Sequence, residues 1–166
     1  MFKMVKTSYG KIKNLSSPEA AYTAGLIDGD GTIALSRSQS KNRNKKEYRR
    51  LEVKISNTDF NLLSYIKNIV GAGQISKKRP RNERQSISYA YRICNRQAFN
   101  LLTQISSYLK TYKQKRARLV LENYIELTPR NGKYSQEILA RKKRFVKAFF
   151  AIPSTMKIKP KIAKYY

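Results

Sequence analysis

Two alternating stretches followed by an amphipathic helix, a unit that occurs twice, constrain the fold of this 166-residue chain more than any other feature. In the first unit, Ile33 and Leu35 alternate with Thr32, Ala34, Ser36 and Ser38. Residues 48–57 then alternate again, placing Leu51, Val53 and Ile55 inside and Arg50, Glu52, Lys54 and Ser56 outside. A period of two is the mark of a half-buried strand. Phe60, Leu63, Ile66 and Val70 next recur at helical spacing and stop at Gly71-Ala72-Gly73. The second unit repeats this order. A short strand over 74–79, a turn over 80–84 and a strand over 86–94 lead into a helix. The longer strand sets Ile87, Tyr89, Tyr91 and Ile93 on one face, and the helix turns Phe99, Leu102, Ile105 and Leu109 inward. The tetrapeptide Phe-Asn-Leu-Leu opens the helix both times, at 60–63 and 99–102, as expected of a unit used twice.

Helices flank these units. Ser17-Pro18-Glu19 reads as a helix start with Ser17 as the N-cap, and the helix should run to about Asp28. Ala117, Val120, Leu121 and Tyr124 suggest a helix stopped by Thr128-Pro129. A last helix covers roughly 135–150, with Ile138, Leu139, Phe145, Val146 and Phe149 able to bury a face and Arg141 to Arg144 forming a basic run. The expected fold is therefore α+β: an αββαββα core whose four-stranded antiparallel sheet packs on helices, plus C-terminal helices. One domain over 16–150 suits the length, with a basic N-terminal arm over 1–15 and a basic tail over 151–166.

Charge narrows the partners. Lysine and arginine number 36 against 10 acids, a formal net charge of +26. Such a surplus repels itself in a compact chain and is neutralised best by a polyanion, DNA or RNA first among them. No apolar run is long enough to span a membrane. The single cysteine, Cys94, cannot close an internal disulfide, which fits a reducing, intracellular setting. With no histidine and one cysteine, zinc fingers, zinc nucleases and imidazole base catalysis are excluded.

The polar face of the sheet is the candidate reading surface. It carries Arg50, Lys54, Ser56, Lys78, Ser86, Ser88 and Arg92, groups that donate to phosphates and to base edges. Arg37, Lys41, Arg43, Lys45, Tyr48, Arg79 and Arg81 lie in the adjoining loops and strand ends and complete the candidate DNA-binding set. An ordinary solvated face is the competing account, but it leaves the scarcity of acid on that face unexplained.

Against this basic background, residues 24–33 read Ala-Gly-Leu-Ile-Asp-Gly-Asp-Gly-Thr-Ile. Ala21, Gly25 and Gly29 recur every four residues, with Ala24 alongside, on a helix that can approach another closely. Asp28 and Asp30 follow at its C-terminal end, where the helix dipole and their mutual repulsion both disfavour negative charge. A divalent cation with a preference for oxygen ligands, such as magnesium, would relieve both penalties. A tight turn built from two aspartates and two glycines is the alternative.

Residues 22–31 resemble the signature of the LAGLIDADG homing endonucleases, with Thr23 at the first position and Gly29 where alanine is common. The element order is similar to that family's as well. The stretch Leu109-Lys110 through Lys113-Gln114-Lys115 to Leu119-Val120-Leu121 is similar to the one that carries its active-site lysine, so the likeness covers about residues 18–125. The resemblance implies magnesium-dependent cleavage of both strands of a long DNA site, leaving short 3′ overhangs. It implies Asp30 as metal ligand, with the Gly29 carbonyl beside it, Lys113 near the scissile phosphate, and Asn57 where the family often has glutamine. Asp28 would lie in a helix–helix interface with Ala21, Ala24 and Gly25.

A single motif implies a homodimer pairing its motif helices across a two-fold axis, and a roughly palindromic target. An RNA maturase of the same fold, assisting intron splicing, is the alternative function. A ribosomal-type structural protein would explain the charge but not a small-residue helix ending in two aspartates. The resemblance places the protein wherever the DNA of a host intron or intein resides, in a prokaryotic cytoplasm or an organelle.

Overall fold

The computed structural model describes residues 8–38, 48–80, 86–130 and 133–153. Its elements run α1 (Ser17–Asp30), β1 (Gly31–Ser38), β2 (Tyr48–Asn57), α2 (Phe60–Val70), β3 (Gln74–Lys78), β4 (Ser88–Cys94), α3 (Asn95–Ile105), α4 (Tyr112–Asn123) and α5 (Gln136–Ala151). The four strands form one antiparallel sheet in the order β1-β2-β4-β3. The αββαββα order expected from the repeated unit is the order observed.

The alternation decides which face is which. Ile33, Leu35, Leu51, Val53, Ile55, Tyr91 and Ile93 point to the helices and are buried with Leu63, Ile66 and Val70 of α2 and Phe99, Leu102 and Ile105 of α3. Removing such side chains from water stabilises the fold by roughly 1.5–3 kcal/mol each. Two residues expected in this core lie outside it. Phe60 is 47% exposed at the first position of α2 and meets Tyr89 edge to face, and Ile87 is 46% exposed because β4 begins one residue later. Leu139 is likewise exposed on α5, whose contact face is formed by Phe145 and Phe149, with Val146 partly buried beside them.

Helix α1 begins one residue earlier than its sequence suggests. Ser16, not Ser17, is the N-cap: its hydroxyl accepts from the Glu19 amide, and the Glu19 carboxylate accepts in return from Ser16, a reciprocal capping box. These bonds hold the Glu19 carboxyl below its ordinary pKa. The helix also extends to Asp30 and passes directly into β1 through Gly31. A side chain at Gly31 would come within 2.5 Å of the Ile27 backbone, so only glycine permits this junction.

Residues 8–15 are stitched to the domain rather than trailing from it as an arm. Asn100 donates to the Gly10 carbonyl, Lys13 pairs by its amide with Val70, and Gln104 bonds both Leu15 and Lys13. Ile12 and Leu15 pack against the core. Residues 1–7 and 154–166, the remainder of the expected arm and most of the tail, lie outside the described residues.

Candidate active site and nucleic-acid interface

Three segments distant in sequence meet at one end of the sheet. Helix α1 delivers Asp28 and Asp30, the last residue of β2 is Asn57, and α4 contributes Lys113 from its first turn. The Asn57 side-chain amide donates to Oδ2 of Asp30 at 3.0 Å. Asp30 itself is exposed.

Asp28 and Lys113 form a reciprocal clasp between two helix ends. The Asp28 carboxylate accepts from the Lys110 amide and the Thr111 hydroxyl, both at 2.6 Å, at the N-terminus of α4. Lys113 Nζ donates to the carbonyls of Ile27 at 2.7 Å and Asp28 at 2.9 Å, at the C-terminus of α1. Each charge therefore lies at the helix end whose dipole favours it. Lys113 is buried, and burial holds its ammonium below the ordinary lysine value, aided by Arg116 and opposed by Asp28 and Asp30. An ammonium has three donors, so two carbonyls leave one for a further acceptor. The charge penalty foreseen for Asp28 is thus answered within the chain.

Magnesium takes one or two carboxylates and completes its shell with water and substrate phosphate. The Asp30 carboxylate fits that need: it is exposed, oxygen-only and bonded at Oδ2 by Asn57. Among the described residues no group of three or more acid or cysteine side chains forms a complete protein cage. Asp30 is the residue that would hold such an ion.

The outer face of the sheet leads away from this cluster. Pairing register places Thr32, Lys54, Arg92 and Gln74 in one row, and Ser56, Ala90 and Ser76 in the next. Lys78 reaches across to Ser56 Oγ at 2.8 Å. Of the candidate set, Arg50, Lys54, Lys78, Ser88 and Arg92 lie on this face, and Tyr48 shares its register. Ser86 is exposed just ahead of β4 and Arg79 just beyond β3. Arg37 does not belong to the face: it pairs with Arg49, and both have the parity of the helix side. Lys41, Arg43, Lys45 and Arg81 lie outside the described residues.

Glu52 is the one acid of β2 on the outer face. It is only 7% exposed, between Arg50 at 3.6 Å and Arg92 at 3.4 Å, so the face stays basic. The register adds Gln74 and Ser76 to this face, which the alternation of β3 would have supplied, beside Thr32, whose side the alternation of β1 already gave. Sequence reading missed Thr111, detectable only as a cap before α4.

The motif helix shows two distinct sides. Ala20, Thr23, Ala24 and Ile27 are buried within the subunit, whereas Ala21, Tyr22, Gly25 and Gly29 are exposed. Ala24 is therefore not available to a partner helix, contrary to expectation: it sits three residues from Ala21 and faces inward at 0% exposure. A side chain added at Gly25 or Gly29 would meet nothing within 4 Å.

Residues 23–128 match the LAGLIDADG endonuclease family. The chain belongs to that family. The intron-encoded DNA endonuclease aI3 of Saccharomyces cerevisiae is 34% identical over 113 residues, which cover 64% of this chain and 25% of that protein. The chain thus matches only about a quarter of the length of this relative. Among solved structures, the homing endonuclease I-CvuI, in complex with a target DNA in the presence of magnesium and with the DNA not cleaved, superimposes with a TM-score of 0.65 at 21% identity. The match covers 84% of this chain and 85% of that one. The meganuclease I-SmaMI bound to uncleavable DNA gives 0.60 at 16% identity, over 80% of this chain but only 45% of its own. This LAGLIDADG chain therefore shares its fold with both a chain of similar extent and roughly half of a longer one.

Proposed function

We propose that this LAGLIDADG protein is a site-specific homing endonuclease that makes a magnesium-dependent double-strand break in a long, roughly palindromic DNA target, leaving short 3′ overhangs. The observation that carries the reading is the meeting of Asp30, Asn57 and Lys113 at the end of a basic sheet face. Lysine and arginine side chains along that face neutralise phosphates and set the register of the duplex, while Ser88 and Gln74 offer groups to base edges. Asp30 binds and orients, Asn57 holds the Asp30 carboxylate in place, and the third donor of Lys113 faces the charge that develops on the phosphate. Magnesium, once bound, would polarise the phosphate and lower the pKa of the attacking water.

Cleavage of two strands requires two such sites, and the exposed side of α1 supports a homodimer. A helical glycine costs about 1 kcal/mol relative to alanine. Nothing among the described residues of the subunit requires Gly25 or Gly29. A second copy of α1 packed on that side supplies the reason, with Ala21 beside the glycines and Asp28 at the edge of the contact. The match to about half of the longer I-SmaMI chain supports the same pairing. The protein acts wherever the DNA of its host intron resides. No described helix is long and apolar enough to cross a membrane.

The test is incubation of the full chain with magnesium and the uninterrupted version of its host locus. A specific double-strand cut is expected. Intact DNA together with accelerated splicing of the host intron would replace this reading with an RNA maturase.

A further inference from the structure

An acid stands on the basic face of the sheet, where a polyanion is expected to bind. Glu52 is 7% exposed, and its Oε2 lies 3.6 Å from Arg50 Nη2 and 3.4 Å from Arg92 Nε. A desolvated carboxylate on this face repels phosphate, so its place there needs a reason other than affinity. Partly exposed ion pairs contribute little stability either. Both separations are longer than a hydrogen bond of about 2.7–3.2 Å, so the carboxylate attracts the two guanidiniums without consuming their donors.

Arg92 is the one placed to use those donors. It stands on β4, an inner strand of the sheet, with Lys54 and Gln74 beside it in the same row. Its same-face neighbours along the strand, Ala90 and Cys94, are small, and its own side chain is 44% exposed. With Nε turned to Glu52, Nη1 and Nη2 form the outer end of a planar fork. That pair of donors matches O6 and N7 of a guanine in the major groove. A phosphate is satisfied by a point charge such as Lys54 and needs no oriented plane. Arg50, drawn to the same oxygen, offsets the charge that Glu52 would otherwise present to DNA.

We infer that Arg92 reads a guanine in the DNA target and that Glu52 is the positioning residue that sets the plane of its fork. Glu52 lies five residues from Asn57 along β2, roughly 17 Å at ~3.3 Å per residue, so this guanine falls within one helical turn of the Asp30 cluster. The inference rests on the proposal that the outer face binds duplex DNA. It does not require that the DNA be cut.

Selection of duplexes from a randomised pool by the full chain in EDTA reads base preference without cutting. Wild type is expected to enrich a guanine that Arg92→Gln no longer selects. At that position 7-deazaguanine, which lacks the N7 acceptor, should weaken wild-type binding by at least about fivefold and Arg92→Gln by less than about twofold. Glu52→Gln should tighten binding to unrelated duplexes and yet reduce the 7-deazaguanine penalty to about twofold. An Arg92→Gln chain that binds every sequence more weakly by the same factor would make Arg92 a phosphate contact and overturn the inference. A preference lost in Glu52→Gln but kept in Arg92→Gln would make Glu52 the reader, through the amine of the paired cytosine, and also overturn it. An unchanged penalty in Glu52→Gln would remove the positioning role. A pool that yields no common sequence would overturn both this inference and the DNA-binding role of the face. The expected guanine pattern on DNA that magnesium leaves uncut would support this inference while the endonuclease reading fails.

Discussion

Asn57 at the end of β2 donates its side-chain amide to Oδ2 of Asp30 at the end of α1, across 3.0 Å. This bond fixes the orientation of a carboxylate that is otherwise exposed. Groups that orient metal ligands typically contribute 10- to 100-fold in metal affinity or activity. Asn57→Ala should therefore raise the magnesium concentration for half-maximal cleavage by roughly tenfold or more. An unchanged magnesium midpoint would show that Asp30 needs no such support.

The glycine side of α1 makes opposite predictions for the subunit and for the assembly. A methyl group at Gly25 meets nothing among the described residues of the subunit, so Gly25→Ala should stabilise the isolated chain by about 0.5–1 kcal/mol. Gly25→Leu should abolish self-association, read by sedimentation as a mass near 19.3 kDa in place of twice that value. A wild-type chain that sediments as a monomer both free and on DNA would remove the homodimer.

Gly31 tests the helix-to-strand junction. An added methyl would lie 2.5 Å from the Ile27 Cα and 2.9 Å from its carbonyl oxygen, both backbone atoms that cannot turn aside. Gly31→Ala is expected to cost at least about 1–3 kcal/mol, the range for overpacking. A denaturation midpoint equal to wild type would show that the junction relaxes freely.

Buried titrating groups set the alkaline behaviour. Burial raises the pKa of Tyr91 and Tyr124 above the ordinary phenol value. The unfolded chain then loses these protons first, so their stabilisation is complete below about pH 10 and is lost as pH rises through the folded values. Lys113 acts in the other direction. Its depressed pKa means that the charged form burdens the native state, and this burden lifts as pH climbs toward the ordinary lysine value of about 10.4. Tyr91→Phe should lose about 1 kcal/mol at neutral pH, because the Ala72 carbonyl loses its donor, yet decline less steeply above about pH 10. Lys113→Met should abolish the rise below that point. Denaturant titrations across pH 7–11 read both slopes.

The strands and helices were legible because period-two and helical spacing survive in Leu51, Val53 and Ile55 and in Leu63, Ile66 and Val70. The roles proposed for Asp30 and Lys113 rest on resemblance to a family, since spacing alone does not distinguish a metal ligand from a turn. That a cation lies in the interior was not legible. Arg116 donates to Ile33 and Ile152 and lies over the Tyr112 and Phe149 rings, partners that are 83 and 36 residues away for the two carbonyls. Nothing local marks such a residue as interior. The same holds for Arg96, and for Asp28, whose partners lie 82 and 83 residues downstream.

The most direct test of the account is the single-turnover cleavage rate of wild type and Asp30→Asn on the same target, in magnesium, at matched DNA occupancy. Loss of the carboxylate proposed to bind metal is expected to slow cutting by at least about 10³-fold, more than 4 kcal/mol of barrier, while DNA binding persists. An Asp30→Asn protein that cuts both strands within about twofold of the wild-type rate would contradict the assignment of Asp30, and with it the proposed mechanism.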